Sequence, residues 1–426
     1  MTSRQTKIGI FTDHTGGVHV FSTRLAGQLK AERAREIHVV TYQAATPAEQ
    51  LAVEELRSVS DSMHLLPRTG NDADLVRNIC LALRQVRCDV FIPNYRSTTY
   101  AALARLTKRR LMSSRSRPPL PVLATSPGNR LVFRCPKVAT RVVGICHDNN
   151  DAYYNLLAHY EPIVEVFVCP TLSTKAALEK RIPHRKGDIY CLPHGVPAFE
   201  DCEPEYEGGP LRLFYAGRLE ETQKRVSYLI AIAAELERRS VPFTLSLVGD
   251  GPDRERYVKR VERSGLAGRV EFHGHCMPDQ VKAVLRKSHL AVLTSMHEGF
   301  CYGLAEAMAA GLPAVAFSCD GVIEQYLKDG VNGCVVPWGD VKGAAERIAG
   351  FYDNPAKWRS FSARARREIE TNYSMAAFGS AYSRLLDERL TRTDSPRSWP
   401  AMRPVLSGRN KGTMLTDRLG KYVRLW

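Results

Sequence analysis

Residues 290–318 read LAVLTSMHEGFCYGLAEAMAAGLPAVAFS. An apolar run ends at Ser295, a short loop carries Glu298 and Gly299, an alanine-rich helical segment follows, and Pro313 opens a second apolar run. Runs of Val, Leu and Ala without polar alternation mark strands covered on both faces, the habit of parallel sheets flanked by helices. The stretch therefore predicts strand, loop, helix and strand, one step of a doubly wound α/β sheet.

The same alternation extends in both directions. Strand-type runs fall at 7–12, 36–42, 63–67, 89–94, 121–126, 141–148, 165–170 and 188–195, and again at 211–218, 243–250, 269–274, 290–295, 313–318 and 333–338. Helical patterns fill most gaps. An acidic segment rich in Pro and Gly, 197–210, separates the two series and has a linker's composition. The reading is two Rossmann-like, doubly wound parallel-sheet domains, 1–196 and 211–373, joined by a linker at 197–210 and facing each other across a cleft. A last helix, 374–390, is expected to pack back on the first domain, and 391–426 form a basic, disordered tail. In such folds ligands sit beyond the carboxyl ends of the strands.

The 426 residues suit two domains of ordinary size. No stretch reaches the roughly 18 apolar residues of a membrane span, and residues 1–12 lack a signal peptide's apolar region, so a cytoplasmic location is expected. Eleven scattered cysteines without a C-x-x-C pair read as reduced thiols, not as a disulfide framework or a zinc site. The net charge of +15 is uneven: residues 1–200 hold 27 Lys/Arg against 17 Asp/Glu, and residues 391–426 hold 8 against 2. That asymmetry suits peripheral contact with an anionic membrane or an acidic acceptor, and equally a merely soluble basic surface. The tail lacks interleaved aromatics and the basic half lacks a nucleic-acid-binding pattern, so no nucleic-acid partner is expected. The basic residues Lys108, Arg109, Arg110, Arg115 and Arg117 read as a loop, and 414–426, mixing basic and apolar residues, reads either as a membrane-surface segment or as a frayed end.

Chemistry concentrates in two places. The helix after Gly299 offers unpaired amides and the positive end of a dipole, which suits a diphosphate, and Gly299 permits close approach. Glu298 and Glu306 can accept paired hydrogen bonds from sugar hydroxyls; the plain alternative is an acid favouring the helix dipole and a surface Glu. Arg218 and Lys224 follow the strand at 211–218, where two fixed cations would stabilise a departing diphosphate or replace a metal ion; the alternative is two solvated bases. Asp72-Ala73-Asp74 mimics a D-x-D metal site but is better explained as acids opening a helix.

These elements in order resemble the retaining glycosyltransferases of the two-Rossmann-domain (GT-B) type, family 4. Gly217, Arg218 and Lys224 match its G-R-x5-K element; Val248 to Pro252 match V-G-x-G-P; Phe272 and Gly274 match F-x-G; Glu298 and Glu306 match E-x7-E; Ala309 to Ala316 match A-x-G-x-P-V-x-A except for one Ala; Asp329 to Gly333 match D-G-x-x-G. Cys301 departs from the pattern, standing where many members have Gly. The first half resembles the family more thinly: Gly16-Gly17 look like its Gly-Gly loop near the donor phosphates, His147 looks like its strand-end His near the donor sugar, and Pro193 to Val196 look like its P-x-G-V hinge. The resemblance implies a donor whose base lies near Gly249 and Gly274, whose ribose meets Glu306, and whose diphosphate meets Arg218, Lys224 and the amides of Gly299, Phe300 and Cys301. It implies catalytic roles for His147, Glu298, Arg218 and Lys224. It further implies transfer from a UDP- or GDP-sugar to a saccharide or lipid-linked acceptor with retained anomeric configuration, without metal or other cofactor. A catalytically silent sugar-nucleotide-binding subunit, and an epimerase or phosphorylase on the same scaffold, stay open as alternatives.

Overall fold

A computed structural model describes residues 5–13, 16–32, 35–69, 72–94, 99, 102–103 and 140–390. The strand expected at 121–126, the basic residues 108–117 and the tail 391–426 lie outside the described residues. The first series of elements runs β1 (Thr6–Phe11), α1 (Gly16–Lys30), β2 (Arg35–Tyr42), α2 (Pro47–Ser58), β3 (Ser62–Leu66), α3 (Asp72–Val86), β4 (Val90–Ile92), β5 (Arg141–Ile145), α4 (Asp151–His159), β6 (Val166–Cys169), α5 (Leu172–Arg181) and β7 (Ile189–Cys191). The second runs β8 (Leu211–Ala216), α6 (Val226–Arg238), β9 (Phe243–Val248), α7 (Arg254–Arg263), β10 (Val270–Gly274), α8 (Pro278–Arg286), β11 (Leu290–Leu293), α9 (Tyr302–Ala309), β12 (Ala314–Phe317), β13 (Gly333–Val336), α10 (Val341–Tyr352), α11 (Pro355–Asn372) and α12 (Met375–Leu390).

The strands form two sheets, in the orders β3-β2-β1-β4-β5-β6-β7 and β10-β9-β8-β11-β12-β13. Every pairing among these strands is parallel. The inner strands β4, β6, β11 and β12 are buried along their whole length, which is why the sequence shows unbroken apolar runs there. Helix starts follow local chemistry. Thr46 accepts from the Glu49 amide ahead of α2 with Pro47 behind it, Asn150 accepts from the Tyr153 amide ahead of α4, and Asp72 and Asp74 sit in the first turn of α3.

In each sheet the strand order reverses beside the first strand of the series, at β1/β4 and at β8/β11. Such switch points open a crevice past the strand ends. Gly16 and Gly17 open α1 after β1, and β4 leads to Asn94; β8 leads to Gly217 and Arg218, and β11 leads to Glu298.

The segment 197–210 has no helix or strand, yet it buries Phe199, Cys202 and Tyr206 in the core of the second sheet. The chain crosses between the two cores twice, and the crossings touch: the Val196 amide donates to the Tyr373 carbonyl at 2.8 Å, and Val196 bridges Ser374. After the second crossing α12 joins the core of the first sheet, where Phe378, Tyr382, Leu385 and Leu386 pack with Phe21 and Leu25 of α1. Buried Arg35 fixes the helix by donating to Ser383 Oγ at 2.6 Å and Asp387 Oδ1 at 2.8 Å. Among the described residues no helix is long and apolar enough to cross a membrane. Phe378→Ala is expected to destabilise the protein by about 3 kcal/mol, the scale of a truncated core aromatic, read as a lower urea midpoint.

Candidate active site

The loop after β8 is shaped by a buried acid. Glu220 Oε1 accepts from the amides of Gln223 at 3.0 Å and Lys224 at 3.1 Å, and Thr222 donates to its other oxygen. Arg218 Nη2 lies 3.8 Å from the same carboxylate. The fold of this loop turns Lys224 inward, where Nζ donates to Glu298 Oε1 at 2.6 Å. Ser295 Oγ, two residues past β11, donates to that same oxygen at 2.5 Å. Glu298 is 4% exposed, deeper than a loop position suggests, because Lys224 meets its charge. Burial opposes the charge on Lys224, but Glu298 outweighs it and raises the ammonium pKa above its ordinary value.

The chain then reverses through Gly299, Phe300 and Cys301 into α9. Cys301 occupies the left-handed region, φ 67° and ψ 78°, just ahead of the helix. Gly meets no steric penalty there, whereas a side chain costs roughly 1–2 kcal/mol. The Tyr326 hydroxyl secures the turn by donating to the Phe300 carbonyl at 2.7 Å. Nearby, Gly249 has φ 125°, its amide donates to the Gly274 carbonyl at 2.8 Å, and a Cβ on it would strike the Gly217 carbonyl. The ends of β8, β9 and β10 are thus drawn together on glycine backbone.

The first sheet faces this loop directly. A Cβ at position 299 would strike the His147 carbonyl, and the Asn149 amide donates to the Glu298 carbonyl at 3.3 Å. His297 Nδ1 lies 3.1 Å from Asp148 Oδ1, a bridge between the two halves. His147 Nε2 lies 3.0 Å from Asn94 Oδ1. Asn94 Nδ2 donates to the Phe11 carbonyl and Ser22 Oγ, so its Oδ1 is the acceptor and the proton sits on His147 Nε2. Burial keeps His147 neutral, lowering its pKa from 6.5 to about 3 against the pull of Asp148. Gly17 faces the Tyr302 ring, and Arg24 of α1 donates to Glu306 of α9.

Arg218, Lys224, Glu298, Gly299 and His147 therefore meet at one junction. Phe300 and Cys301 lead from it into α9, with the Cys301 thiol close to Glu298 and Lys224; Glu306 lies one turn along that helix, Gly17 faces the ring of Tyr302 at its start, Gly249 and Gly274 stand behind Gly217, and Gly16 has open space beside it. Sequence reasoning missed Arg24, Asn94, Asp148, Glu220 and His297. Asp148 and His297 each adjoin a residue already singled out, and Glu220 lies between Arg218 and Lys224, whereas Arg24 and Asn94 carried no such signal.

Residues 202–368 match the family Glycosyl transferases group 1. Over this segment the chain is similar to the group 1 glycosyltransferases. The glycosyltransferase relatives include the glycogen synthase of Mycobacterium tuberculosis, 30% identical over 191 residues, which cover 44% of this chain and 46% of that protein. An exopolysaccharide phosphotransferase of Streptomyces coelicolor is 26% identical over 348 residues, 78% of this chain and 36% of that one. The chain thus spans less than half the length of either relative. Among solved structures, Anabaena HepE in complex with UDP and glucose aligns with a TM-score of 0.69 at 15% identity, over 90% of this chain and all of that one. TarM aligns with a TM-score of 0.68 at 11% identity, over 90% of this chain and 99% of that one. The two-sheet architecture is the GT-B fold.

The histidines at the junction respond to pH in opposite senses. Below their ordinary value of 6.5, the unfolded chain protonates at His147 and His194 while burial, chiefly, keeps the folded ones neutral. Stability from this pair is therefore lost as pH falls. For His297 burial lowers the pKa, but the hydrogen bond and charge of Asp148 outweigh it and raise it. Its contribution is complete below 6.5 and lost as pH rises through the raised value. In melting curves between about pH 5 and pH 9, Asp148→Asn is expected to abolish the alkaline loss and leave the acid one.

Proposed function

We propose that the chain transfers a sugar from a nucleoside-diphosphate sugar to a saccharide or lipid-linked saccharide, with retention at the anomeric carbon and without a metal. The observation that carries this reading is the Arg218–Glu220–Lys224–Glu298 network at the β8/β11 switch point, packed against a neutral His147. The acceptor oxygen bonds to the anomeric carbon, the bond from that carbon to phosphate oxygen breaks with its electron pair going to the diphosphate, and the acceptor's proton passes to the departing diphosphate oxygen on the same face. Negative charge grows on the leaving diphosphate, and Arg218 and Lys224 are fixed cations for it, with the first-turn amides of α9 alongside. Glu306 and the glycine-lined ends of β9 and β10 hold the nucleoside. Neutral His147 keeps a lone pair on Nδ1 for a sugar hydroxyl. Contact between the halves excludes water from the reacting sugar.

The HepE complexes with UDP and with UDP-glucose support a UDP-sugar as the first donor to try, with GDP-sugars next. The relatives named for exopolysaccharide and glycogen chemistry support a polysaccharide or glycolipid setting. A cytoplasmic place, with the basic first half resting on an anionic membrane face, completes the reading.

The test is a melting-temperature panel with UDP, GDP, ADP and their sugars, followed by turnover of variants. A ligand at 100 times its dissociation constant adds about 2.7 kcal/mol, and one base is expected to stand out. Lys224→Ala and Glu306→Ala are each expected to reduce turnover by roughly 100-fold, the scale of a lost transition-state contact. Near-normal turnover in both variants defeats the proposal, and binding without turnover points to a silent binding subunit.

A further inference from the structure

Arg24 has no part in the transfer chemistry, yet it joins its own helix to two other parts of the fold. It lies on α1, two turns beyond Gly17. One guanidinium nitrogen, Nη1, donates to the Gly195 carbonyl at 2.8 Å, in the first crossing between the halves. The other, Nη2, donates to Glu306 Oε1 on α9. The guanidinium carbon stands 4.6 Å from the centre of the Tyr302 ring, at the first residue of α9. Tyr302 in turn stacks on His194 of the same crossing, with ring centres 5.4 Å apart and planes 8° from parallel. Arg24 and Glu306 are both partly buried, with side chains 16% and 22% exposed.

We infer that Arg24 is a positioning residue for the ribose of the donor: it fixes the Glu306 carboxylate through one oxygen and presents the other to the ribose diol. The inference rests on the proposed donor reading. A planar guanidinium with two occupied prongs and a ring beneath it holds a single orientation, and a carboxylate tied at one oxygen loses the freedom to swing away. Glu306 Oε2 receives no hydrogen bond among the described residues, so it stays available as an acceptor for a hydroxyl. The consequence is that the first half of the chain, through a side chain that never touches the base or the phosphates, sets the affinity of the second half for the nucleotide's sugar. Grip on the ribose therefore exists only while α1, the crossing at Gly195 and α9 are together.

Calorimetric titration with two ligands tests this: the best-bound of UDP, GDP and ADP, and its 2′,3′-dideoxy form. In the wild type the ribonucleotide is expected to bind more tightly than the dideoxy form. Arg24→Gln is expected to weaken the ribonucleotide about 10-fold, the worth of one charge-assisted hydrogen bond, and to leave the dideoxy form unchanged. Glu306→Gln is expected to do the same, with no further loss in the double variant. Arg24→Lys, which keeps the charge but not the two prongs, is expected to recover part of the loss and keeps the test open where the Gln variant folds poorly. An equal loss for both ligands, no loss, or tighter binding overturns the inference while leaving the donor reading intact. A wild type that binds none of the three nucleotides overturns both.

Discussion

The buried pair of Lys224 and Glu298 is the interaction on which the site depends. Neither charge is tolerable alone at that depth, and removing one partner of such a pair costs about 3–5 kcal/mol because the other is left without a counterion. The pair also does geometric work. It ties the loop after β8 to the loop after β11, the two strands between which the second sheet reverses its order. Ser295 and Glu220 extend the network on either side, so Lys224 approaches from one strand end and the start of α9 from its neighbour. The acids at Glu220, Glu298 and Asp148 keep the cations charged in a place where water is scarce. On the proposed reading, an incoming diphosphate would meet positive groups already oriented, with little rearrangement left for the moment of reaction.

Where the chain repeats a physical requirement, the sequence is explicit. Strands covered on both faces must be apolar throughout, and their runs in the described region coincide with the strands of both sheets. The elements that shape the second half are equally plain, because they consist of glycines and charges at fixed spacing along a short stretch. Residues that work across the junction left little trace. Arg24 and Glu306 are 282 positions apart, and His297 and Asp148 are 149 apart. Each is one polar residue in an ordinary helix or turn, and nothing in the local pattern announces its partner. Cys301 hides its backbone conformation altogether, since a cysteine gives no hint of a left-handed turn where a glycine would.

The segment 197–210 shows a different kind of illegibility. Its acids, prolines and glycines describe a loose connector, and its backbone is indeed irregular. Three well-separated side chains, Phe199, Cys202 and Tyr206, nevertheless anchor it to the second core. Composition averages over such anchors, so it reports the absence of secondary structure correctly and the attachment not at all. The family match begins at residue 202, inside this segment, consistent with its belonging physically to the second domain.

The two crossings between the halves run side by side, Val196 against Tyr373 and Ser374, and α12 returns the second one firmly to the first core. A pair of adjacent strands of chain behaves as a swivel pin: it resists sliding and separation and leaves rotation as the soft coordinate. Displacement about a pin grows with distance from it. The polypeptide at Gly195 would barely shift in such a rotation, while contacts away from the pin, such as Ser173 Oγ donating to the Asp320 carbonyl at 2.6 Å, would have to part. The paired crossings thus form a fulcrum beside Gly195, and rotation about them would leave the chain there in place while displacing the far rim of the interface.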